Sequence, residues 1–138
     1  MISFALNHIS WMMVIVAAIV GFIISMLWYS PFLFGNTWLR LSGIKISSSA
    51  SMTPYLINEF VGLLLQSYML AWLLENVNAL EAVDALIVAA MVSVLFIGVN
   101  QWCGIVWSQR PRELFFVYQG STLVTYLAMA ALFAYVAA

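Results

Sequence analysis

Four apolar stretches, each long enough to cross a bilayer, occupy nearly all of this 138-residue chain, and they restrict its fold more than any other feature. A spanning helix needs about 20 predominantly apolar residues, because it rises roughly 1.5 Å per residue through about 30 Å of hydrocarbon. The run Trp11 to Tyr29 carries no charge, and three more runs extend from about Pro54 to Leu74, Ala82 to Trp107 and Leu114 to Val136. With their flanks included, the predicted helices cover about 9–30, 54–75, 82–107 and 113–137. Composition agrees: 66% of residues are hydrophobic and 7% are charged, where a soluble domain carries roughly 25%. Mean hydropathy is +1.08. The expected fold is all-α, an integral membrane four-helix up-down bundle forming a single transmembrane domain over 1–138. Met1 to Ser10 lacks the basic n-region of a signal peptide, so the first stretch reads as a retained helix.

The placement of charge predicts an orientation. All four basic residues fall in the first and third inter-helix loops, Arg40 and Lys45 in one, Arg110 and Arg112 in the other. The second loop holds Glu75, Asn76, Asn78 and Glu81, with Asp84 just beyond. Lys and Arg beside spanning helices are retained on the cytoplasmic side. Loops one and three are therefore expected in the cytoplasm and both termini outside, an N-out/C-out multi-pass protein of a bacterial inner membrane. A net charge of −1 and a pI near 5.6 give no reason to expect nucleic acid as a partner. The expected partners are the lipid bilayer and a second copy or another membrane protein.

Punctuation sets the helix ends. Pro31 lacks the amide proton that an interior helical ladder needs, so it ends or kinks the first helix. Phe32 to Leu41 is too short to span again and suits an amphipathic interfacial segment, with Trp38 facing inward and Arg40 outward. Ser42-Gly43 closes it, and Ser47 to Ser51 reads as a flexible linker. Thr53 is a competent N-cap for the second span, with Pro54 at its first position. Tight turns are expected at Asn76-Val77-Asn78 and at Ser108 to Arg112, and short connections imply antiparallel neighbours. Trp102 and Tyr126 fall well inside their spans and are expected to pack between helices.

Small residues recur every fourth position on two helices: Ala17, Gly21 and Ser25 on the first, Ala85, Ala89 and Ser93 on the third. In lipid such faces supply close van der Waals contact, either within one chain or between subunits. Four helices are expected to enclose little on their own, which favours an oligomer.

The polar intramembrane residues gather at one depth. Tyr29 and Ser30 end the first span, Asn58 and Glu59 lie one to two turns into the second, and Gln66 sits nearer the midplane. Asn100 and Gln101 lie about two turns from the cytoplasmic end of the third, while Glu113, Tyr118 and Gln119 open the fourth. By helical phase, Glu59, Gly62 and Gln66 share one face, Ser93, Asn100 and Gly104 another, and Tyr118, Thr122 and Thr125 a third. If these converge, the bundle has a polar vestibule open to the cytoplasm and shut outside by small apolar residues. Glu59 leads the candidates, because an ionisable group inside a span is costly and marks function by default. Arg110, Arg112 or Asn100 could partner it, and a purely structural role near interfacial water is the alternative. His8 has no second ligand nearby and reads as surface; Glu75, Glu81 and Asp84 read as a solvated acidic hairpin. The lone Cys103 reads as a small buried hydrophobe. No phosphate loop, nucleophile elbow, zinc spacing or haem motif is present, so no catalytic residue, metal site or cofactor is assigned.

Two stretches carry a resemblance. Trp28-Tyr29-Ser30-Pro31, followed by Leu33-Phe34-Gly35 and Trp38, is similar to the signature of a family of small bacterial four-span membrane proteins catalogued as a domain of unknown function. The Arg110-Pro111 turn leading to Leu114, preceded by Asn100, resembles that family's second half. The resemblance implies fold and location over nearly the whole chain and no activity. Where the family has an acidic pattern before the Arg-Pro turn and a Gly-Tyr-His-like step, this chain reads Val106-Trp107-Ser108-Gln109 and Tyr118-Gln119-Gly120-Ser121.

The leading expectation is a non-enzymatic protein acting in a homo-oligomer or larger membrane complex, its cytoplasmic polar cluster serving as a binding or docking site. The alternatives are an oligomeric channel or small-solute or ion transporter lined by Glu59, Gln66 and Asn100, and a membrane enzyme or binder of a lipophilic substrate. For the last, Tyr29, Glu59 and Arg110 are the available reagents.

Overall fold

A computed structural model describes residues 2–45 and 51–138. The elements are α1 (Trp11–Trp28), α2 (Gly35–Ser42), α3 (Thr53–Asn76), α4 (Ala82–Met91), a π-helical segment (Val92–Gly98), α5 (Val99–Trp107) and α6 (Glu113–Ala137). The segment from Ala82 to Trp107 is one continuous rod, so four helices are long and apolar enough to cross a membrane. The chain is a multi-pass membrane protein with an all-helical bundle fold. The linker expected at Ser47 to Ser51 lies, apart from Ser51, outside the described residues.

Local chemistry accounts for the ends. Ser10 caps α1, its Oγ accepting from the Met13 amide at 3.2 Å. At the other end the Ser30 hydroxyl donates to the Leu27 carbonyl (2.6 Å), and the Phe34 amide reaches back to Trp28 (2.9 Å). The chain then turns so tightly that a Cβ on Gly35 would lie 2.4 Å from the Tyr29 carbonyl oxygen. Only glycine fits there. Gly43, at φ 69°, ends α2 in the left-handed region that glycine adopts without strain. Thr53 is not the cap of α3 but its first helical residue; Met52 precedes it, and Pro54 sits in the first turn, where a missing amide proton costs nothing.

Both hairpins close the preceding helix in the same way. Asn78 (φ 57°) and Gln109 (φ 55°) are left-handed. After α3, Ala79 donates to the Leu74 carbonyl at 2.9 Å and Asn78 to Glu75 at 3.2 Å; after α5, Arg110 donates to Ile105 at 3.1 Å and Gln109 to Val106 at 3.2 Å. These are Schellman closures, which satisfy the last carbonyls and reverse the chain within a few residues.

α6 is the central helix and packs on α1, α2, α3, α4 and the π segment. The tightest packing lies at the end that holds the α3–α4 hairpin: Leu74, Met129, Ala130 and Phe133 are fully buried there, with Ala85 and Ala89 against them. Both small-residue stripes are buried within the chain. A Cβ on Gly21 would come within 3.1 Å of both Leu63 and Thr125. Between α1 and α3 the buried Ser67 hydroxyl donates to the Val14 carbonyl at 2.8 Å.

Glu75 corrects the solvated-hairpin reading. It is only 9% exposed, and its carboxylate accepts the backbone amides of Asn7, His8 and Ile9, each at 2.7 Å. The N-terminal strap is thereby pinned across the end of α3. The strap is also held by Tyr68, whose hydroxyl donates to the Phe4 carbonyl, and by Trp72, whose indole donates to Ser3 at 2.7 Å. Cys103 is exposed on the rod's outer face rather than buried. Trp102 likewise lies at the surface, edge-on to Phe115 with the Arg112 guanidinium 6.0 Å above its ring.

The π segment changes the phase of the third span. An α-helical reading places Ser93, Asn100 and Gly104 on one face. Each π turn takes in an extra residue, so the inward face steps from Ser93 to Gly98 and continues through Gln101 to Ile105. Asn100 and Gly104 turn outward and are exposed.

Candidate functional site: a cavity at one end of the bundle

At the end opposite the tight core, where the chain carries Arg40, Lys45, Arg110 and Arg112, the helices splay around a cavity of about 880 Å³. Pockets for small molecules run roughly 300–1,000 Å³. The expectation that four helices enclose little on their own is therefore corrected. One chain builds this cavity alone.

Each wall follows from a local sequence feature. The end of α1 supplies Ser25, Met26 and Tyr29. The tight turn at Gly35 folds α2 back across the opening, so that Trp38 and Leu39 face in while Arg40 stays exposed. α3 contributes Asn58, Glu59, Leu63 and Gln66 from its first half, on the 3–4 residue spacing of one helical face. The third span gives Ile97 and, through the phase change, Gln101. α6 gives Tyr118, Ser121, Thr122, Thr125 and Tyr126, one continuous face of hydroxyls.

The hydroxyls and amides are organised by hydrogen bonds. Tyr126 donates to Gln66 Oε1 at 2.8 Å, and Gln66 Nε2 donates to the Gly62 carbonyl at 3.2 Å, so this amide is held between α6 and α3. Trp38 Nε1 donates to the Tyr118 hydroxyl at 3.1 Å, tying the roof to α6. The Tyr29 and Trp38 rings meet edge to face, 5.7 Å between centroids at 69°. Trp28 donates to the Val117 carbonyl at 2.9 Å and packs at a tilt of 33° against Phe34, which fixes where α1 gives way to the turn.

Glu59 is the only acid lining the cavity, and no lysine, arginine or histidine lines it among the described residues. The basic partners considered for it are elsewhere: Arg112 lies over Trp102, and Arg110 lines a separate cleft of about 240 Å³ beside Ser108 and Gly104. No side chain among the described residues donates a hydrogen bond to Glu59, which is half-buried.

Of the sequence candidates, Tyr29, Asn58, Glu59, Gln66 and Gln101 line the cavity, and Ser25 of the packing stripe joins them. Ser30 is spent on the Leu27 carbonyl, and Glu113 is exposed at the start of α6. Asn100 faces outward, away from Glu59. Gln119 lies behind the wall against the π segment, so close to Gly98 that a Cβ there would sit 2.3 Å from its Oε1. Both amide atoms of Gln119 are buried without a partner among the described residues, and so is Oε1 of Gln101. The sequence reading assigned Tyr126 to packing and gave Trp38 and Ser121 no part in the vestibule. Tyr126 stands eight residues, about two turns, after Tyr118, a spacing that could have revealed it.

Among the described residues there is no group of three His, Cys, Asp or Glu able to hold a metal ion. What the cavity offers is hydrogen-bond acceptors and donors, aromatic faces, one negative charge, and an apolar wall. The chain belongs to the family described as protein of unknown function DUF1761, whose model matches residues 12–134. No curated protein and no solved structure matches it.

Proposed function

We propose that this member of the family is a non-enzymatic, membrane-embedded binding protein that takes an amphiphilic small molecule into its cavity from the cytoplasmic side. The observation that carries the reading is the cavity itself, in which hydroxyls, amides and one carboxyl group alternate with an apolar surface at Met26, Leu63 and Ile97. An amphiphile brings a polar head and an apolar chain, and this lining offers surface to both. α2 lies where such a molecule would enter, and its amphipathic character suits a segment in the headgroup layer. The confinement of all four basic residues to this end supports its assignment to the cytoplasm and the chain's location in a bacterial inner membrane. Because the cavity is complete within one chain, binding needs no second copy.

Photolabelling tests this. The chain in lipid nanodiscs is exposed to a 12-carbon alcohol bearing a terminal diazirine, and labelled peptides are mapped by mass spectrometry. Label should concentrate on Met26, Leu63 and Ile97 and disappear from them in Thr122→Trp, which fills the cavity. Label spread equally over lipid-facing positions such as Ile19 and Leu65, or unchanged in Thr122→Trp, would sink the reading.

A further inference from the structure

We infer that the cavity selects a protonated amine as the head of its ligand, with Glu59 as counter-ion. The inference rests on the binding reading above and adds the class of molecule bound. Three observations carry it. First, the cavity's charge is of one sign: Glu59 is its only acid and no base among the described residues lines it. A phosphate or sulfate head would meet an unscreened carboxylate in a site with no cation to receive it. Second, the unfilled hydrogen-bonding capacity includes acceptors. Glu59 receives no side-chain hydrogen bond among the described residues, and Gln101 Oε1 is buried without a donor. Two further acceptors are engaged, Gln66 Oε1 by Tyr126 and the Tyr118 hydroxyl by Trp38. An ammonium group brings N–H donors, which Glu59 and Gln101 Oε1 can accept. Third, the walls beside Glu59 are aromatic: Tyr29, Trp38, Tyr55 and Tyr118 line the same space, and ring faces attract cations.

Size argues against a bare metal ion. A volume of about 880 Å³ is far larger than one ion requires, and a cation pocket needs several oxygen ligands converging at 2.0–2.6 Å. Depth argues for an amphiphile over a soluble amine. Glu59 lies six residues into α3, roughly 9 Å along the helix at 1.5 Å per residue. An ammonium placed at that carboxylate leaves a hydrocarbon tail to lie against Leu63 and Ile97.

The test uses three diazirine probes with the same 12-carbon chain and an ammonium, an alcohol or a sulfate head, applied to the full chain in nanodiscs of neutral lipid. The ammonium probe should label Leu63 and Ile97 at about tenfold lower concentration than the alcohol, equivalent to 1.4 kcal/mol, and the sulfate should not label them. In Glu59→Gln the ammonium's tenfold advantage over the alcohol should disappear, and an unchanged unfolding midpoint in mixed micelles reports that the variant is folded. Glu59→Asp, which keeps the charge, should retain most of the preference. Equal labelling by ammonium and alcohol in the unmodified chain, or a preference that survives Glu59→Gln, would overturn the amine assignment while leaving the binding site standing. Absence of cavity label from every probe would overturn the binding reading itself.

Discussion

Removing the Glu75 side chain should free the N-terminal strap and leave the helices in place. The carboxylate holds three backbone amides at 2.7 Å, Asn7 on Oε2 and both His8 and Ile9 on Oε1. A hydrogen bond to a charged acceptor contributes about 1.5–3 kcal/mol, and a buried donor left unpaired costs about 1–3 kcal/mol. The three bonds do not count equally. Asn7 and His8 are exposed, so water replaces the carboxylate for them in Glu75→Ala. Ile9 is 2% exposed and has no such substitute. The expected loss is therefore that of one buried bond, about 2–3 kcal/mol, confined to the strap. At tenfold per 1.4 kcal/mol, the Ile9 amide should exchange its hydrogen about 30- to 140-fold faster. Glu75→Gln keeps one acceptor oxygen and should show a smaller effect, about 1 kcal/mol. Hydrogen exchange read by mass spectrometry on peptides covering 4–12 and 63–72, in the same nanodiscs, measures both regions. Unchanged protection at Ile9 in Glu75→Ala would refute the reasoning, as would equal loss throughout α3, which would make Glu75 a global rather than a local support.

Two further perturbations follow from the same geometry. Gly35→Ala drives a Cβ to within 2.4–2.8 Å of the backbone of Tyr29 and Ser30 and should cost about 1–3 kcal/mol. Gly104→Ala meets nothing within 4 Å and should stabilise by up to about 1 kcal/mol through helix propensity. Unfolding in mixed micelles titrated with dodecyl sulfate separates the two, and equal shifts would contradict the packing described. The proposed orientation is checked in a Cys103→Ala background. Asn78→Cys should react with an impermeant maleimide in intact spheroplasts and Lys45→Cys only after permeabilisation, whereas the reverse pattern would open the cavity on the outer side.

Much of this architecture is written locally in the chain. The four spans follow from apolar length, α2 from Pro31 and the Trp38–Arg40 amphipathy, and the walls from α3 and α6 out of simple helical phase. The errors arise where distant or non-periodic physics decides. Val92 to Gly98 reads Val-Ser-Val-Leu-Phe-Ile-Gly, almost uniformly apolar, so nothing in its pattern announces a π turn. That turn exchanges Asn100 for Gln101 at the cavity wall. Glu75 reads as a loop acid because loop acids are ordinarily solvated; its partners are backbone amides 66–68 positions away, which carry no sequence signature. The basic loop residues lie near enough to Glu59 along the helices to suggest partners for it. The short hairpin instead directs Arg112 onto Trp102 and Arg110 into its own cleft.

The two halves of the bundle are filled unequally. Phe133, Met129 and Leu74 knit one half together, while the other half is walled by side chains that line the cavity. On the binding role proposed above, substitutions around Glu59 or Gln101 should retune recognition without threatening the chain's survival in the bilayer. Damage near Phe133 should instead remove the protein altogether, so abundance and ligand preference can be altered separately.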